Sequence, residues 1–155
     1  RLVTGVQTCA LPIFVPERSN SGVYFMGHYE IQILDSWGVT DLKYGSCGGV
    51  YCRWIDKKPM GGTPPRMNAS RPPGEWQSYD VIFRAPKFDD SGKKIAHARF
   101  EKIVWNGEVV HEDVEVEGPT RGRRQELPEQ AQGPLMLQGD HGPVAYRNLR
   151  LKILC

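Results

Sequence analysis

Short runs of alternating apolar and polar residues recur along the chain after residue 14, and each run predicts a β-strand. The runs with this pattern are residues 21–27, 28–36, 75–85, 97–116, 135–140 and 144–154. No stretch after residue 14 keeps a period of 3.6 residues, and the 17 Gly and 12 Pro favour short strands joined by turns. The pattern therefore predicts an all-β domain, either a sandwich or a barrel.

Two local patterns make specific structural predictions. An Asn-Gly pair, Asn106-Gly107, lies between two apolar runs and is typical of a two-residue hairpin turn. Near the end of the chain, Leu149, Leu151 and Ile153 alternate with basic residues and predict a strand with one buried face.

One predicted strand, residues 28–36, carries an unusual polar row. Side chains two apart in a strand share a face, so Ile31 and Ile33 point one way. His28, Glu30 and Gln32 point the other way. An acid and an amide beside core isoleucines are costly unless they are exposed in a groove or paired, so we expect a groove over this face.

Two long polar segments, residues 57–74 and 118–134, interrupt the strands, and long loops in compact domains are often functional. The second segment contains Arg121, Arg123 and Arg124, which could hold an anion. No aromatic residue is interleaved with them, which favours the interpretation as a solvated loop.

Composition and charge narrow the possible function classes. A chain of 155 residues fits one domain with its own core, and a net charge of +2 gives no strong field for nucleic acid or a membrane surface. The sequence contains no run of eighteen or more apolar residues, so it predicts no membrane span. Four cysteines are too few and too irregular for a disulfide framework. Cys47 and Cys52 could pair or bind metal, but two unrelated thiols is the favoured interpretation.

The first fourteen residues, RLVTGVQTCALPIF, differ from the rest of the chain. They show no strand alternation, and their apolar part is too short and too broken by Pro12 for a signal peptide. They resemble a translated sequencing-adapter remnant of the kind found at the broken ends of metagenomic gene models. We therefore interpret residues 1–14 as a non-native leader and residues 15–155 as one β-sandwich domain truncated at its N-terminus. We expect the leader to contribute little to stability.

Four segments together resemble one known family, the 3-keto-disaccharide hydrolase domain family, formerly a domain of unknown function. They are SNSGVYFMGHYEIQILDSWG, NASRPPGEWQSYDVIFRAPKFD, WNGEVVHEDVEVEGPT and GPLMLQGDHGPVAYRNLRL, and they cover residues 17–154 in order. The resemblance implies a concanavalin A-like jelly-roll fold, a carbohydrate ligand oxidised at carbon 3, and export from a bacterial cell to the periplasm or beyond. The family's opening strands are missing here or replaced by residues 1–14.

The chemistry of a 3-keto sugar fits the polar row better than ordinary glycoside hydrolysis does. Retaining and inverting glycosidases use two carboxylates, whereas this strand offers Glu30 followed by the neutral Gln32. The ketone at carbon 3 acidifies the proton on carbon 2. One base can then remove that proton, the group on carbon 1 leaves, and water adds back. The route needs a base, a group that stabilises the enolate, and an acid for the leaving group.

Candidate residues fall into two groups. The proton-transfer candidates are Glu30, His141, His28 and Asp140. The candidates for holding the sugar or the enolate oxygen are Gln32, Trp76, Gln138, Arg147 and Asn148, with Trp54 as a second stacking residue.

Several of these residues also have structural interpretations. His28 could be a surface histidine at a strand end, Asp140 could cap a turn, and Trp76 could pack in the fold. Arg147 shares its parity with Leu149, which predicts a buried Arg paired with a carboxylate.

No cofactor is predicted. His28, Glu30, Asp140 and His141 could instead hold a divalent metal as a Lewis acid, although their spacing fits no standard ligand set. Two functions therefore remain open, cleavage of 3-keto-glycosides by elimination and hydration, and a non-catalytic lectin-like module that binds carbohydrate. They differ in whether Glu30 and His141 converge in one pocket or lie apart on an open aromatic face. The sequence indicates neither the oligomeric state nor the glycoside and its anomer.

Overall fold

The computed structural model of the chain describes residues 2–3, 6–121 and 126–154, with residues up to 11 and residue 154 described by their backbone alone. All regular structure in these ranges is β-strand, which confirms the predicted all-β class. The strands are β1 (Leu2–Val3), β2 (Val6–Phe14), β3 (Asn20–Phe25), β4 (Tyr29–Leu34), β5 (Arg53–Ile55), β6 (Lys58–Met60), β7 (Trp76–Arg84), β8 (Lys87–Phe88), β9 (Lys94–Ala96), β10 (Ala98–Trp105), β11 (Glu108–Val116), β12 (Gly133–Pro134), β13 (Met136–Leu137), β14 (Ala145–Tyr146) and β15 (Arg150–Leu154).

Two antiparallel sheets form the body of the fold, as in a jelly-roll sandwich. The large sheet has the order β11-β10-β7-β2-β14, and β15 also pairs with β2. The small sheet has the order β13-β3-β4. Beyond β4 it is extended by a bridge between Ile31 and Val50 and by a second bridge between Val50 and Thr63.

Aromatic side chains from both sheets fill the space between them. Phe25 of β3 lies 5.0 Å from Phe83 of β7 and 5.4 Å from Phe100 of β10, measured between ring centroids. Tyr29 of β4 lies 5.6 Å from Phe83. All four rings are fully buried, and each such pair adds about 0.5–1.5 kcal/mol beyond the apolar area that it buries.

The predicted hairpin at Asn106-Gly107 is confirmed. Trp105 of β10 is paired with Glu108 of β11, so the turn contains only the Asn-Gly pair. Both turn residues have positive φ, 51° at Asn106 and 89° at Gly107, as a hairpin turn compatible with strand twist requires. The Asn106 side chain also accepts a hydrogen bond from the Ser78 amide at 2.9 Å, which fastens the turn to β7.

Of the predicted buried face of the last strand, only Leu151 packs against the core, and it is half-buried. Leu149 is 39% exposed and Ile153 is 38% exposed. Arg147 is exposed as well, so it is not buried against a carboxylate as predicted. Between Arg147 and Leu149, the φ of 49° at Asn148 interrupts the extended backbone.

Residues 6–14 form β2, which lies inside the large sheet. One edge of β2 pairs with β7 from Val6↔Arg84 to Phe14↔Trp76, and the other edge pairs with β14 and β15. The hypothesis that these residues are a non-native leader stays a prediction about their origin. Their position nevertheless means that removing them should lower the stability of the fold, since strands on both edges pair with this segment.

Cys47 and Cys52 are both buried free thiols, so the alternative of a disulfide between them is not formed. Cys47 Sγ lies 3.1 Å from the Tyr79 hydroxyl in the core. The side chains of Cys9 and Cys155 lie outside the described residues. No helix in the described ranges is long and apolar enough to cross a membrane.

Candidate active site

A cavity of about 570 Å³ opens over the outer face of the small sheet, within the size range of small-molecule sites. Its lining comes from β3, β4, the segment after Val50, Arg121 and the residues from β13 to His141. The lining residues are Asn20, Tyr24, Glu30, Gln32, Tyr51, Arg121, Met136, Leu137, Gln138, Gly139, Asp140 and His141. The groove expected over the polar row of β4 is therefore present.

The hairpin of β3 and β4 positions Glu30 at the floor of this cavity. Glu30 is paired with Tyr24 across the hairpin, and Gln32 is paired with Gly22. A Cβ atom on Gly22 would collide with Oε1 of Glu30 and would lie 2.9 Å from Cε2 of Tyr24. Glycine at position 22 thus leaves the space that the Glu30 carboxylate occupies.

Glu30 is more buried than the sequence suggests, with 3% of the residue exposed. This burial raises the pKa of its carboxyl to about 7, while a hydrogen bond from Tyr24 lowers it. Burial together with the Glu30 carboxylate raises the pKa of Tyr24, so Tyr24 stays protonated and donates to Glu30. A carboxyl group with a pKa near neutrality can accept and release protons at physiological pH.

Thr120 joins the backbone of Glu30 to the loop that carries Arg121. The Thr120 hydroxyl accepts a hydrogen bond from the Glu30 amide at 3.0 Å and donates to the His28 carbonyl at 2.9 Å. Thr120 is only 1% exposed, so this connection is shielded from water. On the next residue, the Arg121 amide donates to the Cys52 carbonyl at 2.8 Å.

Residues from β13 to His141 form the first wall of the cavity. The backbone N–H of Gln138 donates to the Gly22 carbonyl at 2.9 Å, which holds this wall against β3. At the rim, Nδ1 of His141 lies 2.7 Å from Oδ1 of Asp140. About half of each of these two side chains is exposed, so the pair is accessible to a ligand.

Tyr51 and Arg121 form the second wall. Sequence reasoning missed Tyr51, and it favoured a solvated loop over an anion site for Arg121. The Arg121 guanidinium lies 4.4 Å from the ring centroid of Trp54 and interacts with the Tyr51 phenol by a hydrogen bond. Tyr51 also packs edge-on against Tyr44 at 5.4 Å. The aromatic partners of Arg121 lie far from it in sequence, so the loop pattern gave no signal of this arrangement.

Five of the ten candidate residues from the sequence line the cavity, and five do not. Those inside are Glu30, Gln32, Gln138, Asp140 and His141; those outside are His28, Trp54, Trp76, Arg147 and Asn148. His28 lies in the turn before β4 and is 5% exposed. The Arg147 guanidinium stacks 3.9 Å over Trp76, which also contacts Phe14 of β2. This pair lies on the large sheet, away from the cavity.

The four candidate metal ligands are not assembled into one set. Within the described ranges, no group of three or more His, Cys, Asp or Glu side chains is placed to hold a metal ion. His28 lies outside the cavity that Glu30, Asp140 and His141 share.

Gly22→Ala is expected to lower stability by about 1–3 kcal/mol, because its methyl group competes with the Glu30 carboxylate for one space. Chemical denaturation measures the change. In a Glu30→Ala background the same substitution is expected to cost clearly less, since the colliding group is gone. Equal costs in both backgrounds would contradict the packing of Glu30 against Gly22.

The chain is similar to one known protein family. The family model described as 3-keto-alpha-glucoside-1,2-lyase-like domain matches residues 8–152, which is most of the chain. No curated protein was found to match.

Three similar solved structures come from Parabacteroides distasonis ATCC 8503, and each is described as a "putative glycosyl hydrolase". The first has a TM-score of 0.77 and 28% identity, covering 99% of this chain and 66% of that one. This chain thus spans just under two thirds of its length. The second has a TM-score of 0.64 and 21% identity, covering 99% and 80%. The third has a TM-score of 0.61 and 17% identity, covering 100% and 74%. The last two show the fold alone.

Proposed function

We propose that this chain, which belongs to the 3-keto-alpha-glucoside-1,2-lyase-like domain family, cleaves 3-keto-glycosides by elimination across carbons 1 and 2. The observation that carries the proposal is Glu30, a single buried carboxyl with a pKa of about 7 at the floor of the cavity. General base catalysis is most efficient when the pKa of the base lies near the working pH, and the neighbouring ketone makes the proton on carbon 2 acidic enough to be removed.

The reaction begins when the Glu30 carboxylate takes the proton from carbon 2. The electrons of that bond form a double bond between carbons 2 and 3, and the ketone oxygen becomes an enolate. The enolate then collapses to the ketone, a double bond forms between carbons 1 and 2, and the bond from carbon 1 to the glycosidic oxygen breaks. The departing oxygen takes up a proton. Addition of water across carbons 1 and 2 completes net hydrolysis, and without it the product is the unsaturated keto sugar.

The cavity favours an enzyme over the alternative of a lectin-like binding module. Glu30 and His141 line one cavity instead of lying apart on an open aromatic face. Trp76, which could have served as a platform for sugar stacking, is covered by Arg147 on the large sheet. A cavity with a perturbed carboxyl and an adjacent His-Asp pair is typical of proton-transfer sites.

Incubation with a 3-keto-disaccharide tests this function, with the same disaccharide in its unoxidised form as the control. We expect cleavage of the keto sugar and none of the control, since only the ketone acidifies carbon 2. Cleavage of both sugars at similar rates would contradict the proposal. Binding of either sugar without turnover would favour the lectin-like module. Export from a bacterial cell, which the family resemblance implies, stays a prediction.

The pH dependence of kcat/KM should report the ionisation of Glu30. Activity is expected to fall about tenfold per pH unit below about pH 7, because the base must be ionised and burial has raised its pKa. Tyr24→Phe should move this limb to higher pH, since Tyr24 donates the hydrogen bond that lowers the pKa of Glu30. A limb near the ordinary value of 4.5, or one that Tyr24→Phe leaves in place, would show that the titrating group is not Glu30.

A further inference from the structure

Glu30 lies between two walls of different chemistry. On one side, Tyr24 of β3 lies next to Glu30, β13 pairs with β3, and Gln138 and His141 follow β13 in the cavity wall. On the other side the Tyr51 amide donates to the Glu30 carbonyl at 3.0 Å, so the segment with Tyr51 is the direct neighbour of β4. Adjacent strands lie about 4.8 Å apart, so a sugar placed over Glu30 reaches both walls.

Arg121 is anchored at its backbone, and its guanidinium stacks on an aromatic ring. The guanidinium stacks 4.4 Å over Trp54. The backbone N–H of Arg121 donates to the Cys52 carbonyl at 2.8 Å, and the preceding residue, Thr120, accepts a hydrogen bond from the Glu30 backbone. Arg121 and Tyr51 both line the cavity; burial raises the pKa of the Tyr51 phenol and Arg121 lowers it by its charge and a hydrogen bond, so the two side chains lie together. Each carries a hydrogen-bond donor. A pair of donors in the same cavity as a base is the arrangement that an oxyanion requires.

The two walls differ in what they can do with a proton. Arginine stays protonated in proteins, so Arg121 can hold a negative charge but cannot act as the acid for a leaving group. Histidine changes charge near neutral pH, and His141 is oriented by Asp140 at 2.7 Å. In the sugar ring, carbon 2 lies between carbon 3, which carries the ketone, and carbon 1, which carries the leaving group.

We propose that Arg121 and Tyr51 form the oxyanion site for the ketone oxygen and that His141 faces the glycosidic oxygen. The substrate then lies with carbon 3 toward Tyr51 and Arg121, carbon 2 over Glu30, and carbon 1 toward the wall of Gln138 and His141. Arg121 and Tyr51 donate to the oxygen as it becomes an enolate, and His141 gives its proton to the departing oxygen. This inference rests on the proposed function, and it makes Arg121 a catalytic residue of that reaction.

Separating the two half-reactions tests this orientation. The 3-keto derivative of 1,5-anhydroglucitol has no leaving group on carbon 1, so an enzyme can only exchange its carbon 2 proton with deuterium from the solvent. Arg121→Gln is expected to slow this exchange about 10²–10³-fold, as for loss of one oxyanion donor. His141→Gln is expected to slow exchange far less than Arg121→Gln does, and to slow cleavage of a sugar glycoside more than that of a nitrophenyl glycoside, whose oxygen leaves without a proton.

Arg147→Gln provides a matched control, because Arg147 also stacks on a tryptophan but lies outside the cavity. It should alter neither exchange nor cleavage, and circular dichroism checks the fold of each variant. Normal exchange in Arg121→Gln, or loss of exchange in His141→Gln, would overturn the orientation while the proposed function stands. A wild-type protein that neither exchanges the proton nor cleaves a 3-keto-glycoside would overturn the proposed function and this inference with it.

Discussion

Glu30→Gln is expected to keep the fold and to lower kcat/KM for a 3-keto-glycoside by roughly 10²–10⁴-fold, the range typical of a lost general base. The amide has nearly the shape of the carboxyl group, and the backbone bond from position 30 to Thr120 does not depend on the side chain. Steady-state kinetics on the purified variant measures the loss, and circular dichroism checks the fold.

Glu112→Gln is the matched control for this loss. Glu112 lies on β11, where it forms an exposed ion pair with Arg66 at 2.7 Å, and it is not part of the cavity lining. It should retain full activity. Full activity in Glu30→Gln, or equal losses in both variants, would remove Glu30 from the reaction.

The same substitution should also change how stability depends on pH. The folded state raises the pKa of Glu30 from 4.5 to about 7, so the folded protein binds this proton more tightly than the unfolded chain. The resulting stabilisation is complete below pH 4.5 and is lost as pH rises through 7. A shift of this size corresponds to about 3 kcal/mol. We therefore expect Glu30→Gln to gain stability relative to the wild type between pH 4 and pH 8, measured by urea denaturation.

Deletion of residues 1–14 is expected to abolish cooperative folding or to lower the melting temperature by many degrees. The deletion removes β2 from between β7 and β15, and it leaves their backbone donors and acceptors without strand partners. It also removes Ile13, which is fully buried in the core. Strand pairing uses main-chain groups, so this cost does not depend on whether the segment is native or foreign.

Deletion of residues 1–5 is the control, because it ends just before β2 and should change the melting temperature far less. Differential scanning calorimetry compares the two shortened chains with the full chain. If the chain without residues 1–14 melts at nearly the temperature of the full chain, these residues add little to stability, as the sequence pattern alone predicts.

Much of the fold follows from local sequence patterns. The Asn106-Gly107 turn and the placement of Glu30 opposite Ile31 depend on local geometry, and both are present in the structure. Local rules fail where the backbone departs from the extended form. The positive φ of Asn148 interrupts the extended backbone between Arg147 and Leu149, and both of these residues are exposed, so Arg147 is not in the buried ion pair that was predicted for it.

The candidate site was harder to predict, because its second wall is built by tertiary contacts. Arg121 lies in a loop, and its position depends on Trp54, Tyr51 and the Cys52 carbonyl, none of which is near it in sequence. Trp76 lies on β7 of the large sheet, and strand parity does not say which sheet carries the cavity. The role of Gly22 likewise depends on the cross-strand pairing of β3 with β4.

The most direct test of the central claim is the fate of a deuterium label on carbon 2 of a 3-keto-disaccharide that is cleaved in ordinary water. Elimination breaks the carbon 2 bond in every turnover, so we expect the keto sugar product to have lost its label, as measured by mass spectrometry after rapid quenching. Labelled 3-keto-glucose incubated without enzyme corrects for spontaneous exchange. A product that retains the label, together with cleavage that the label does not slow, would contradict elimination and would indicate direct hydrolysis at carbon 1.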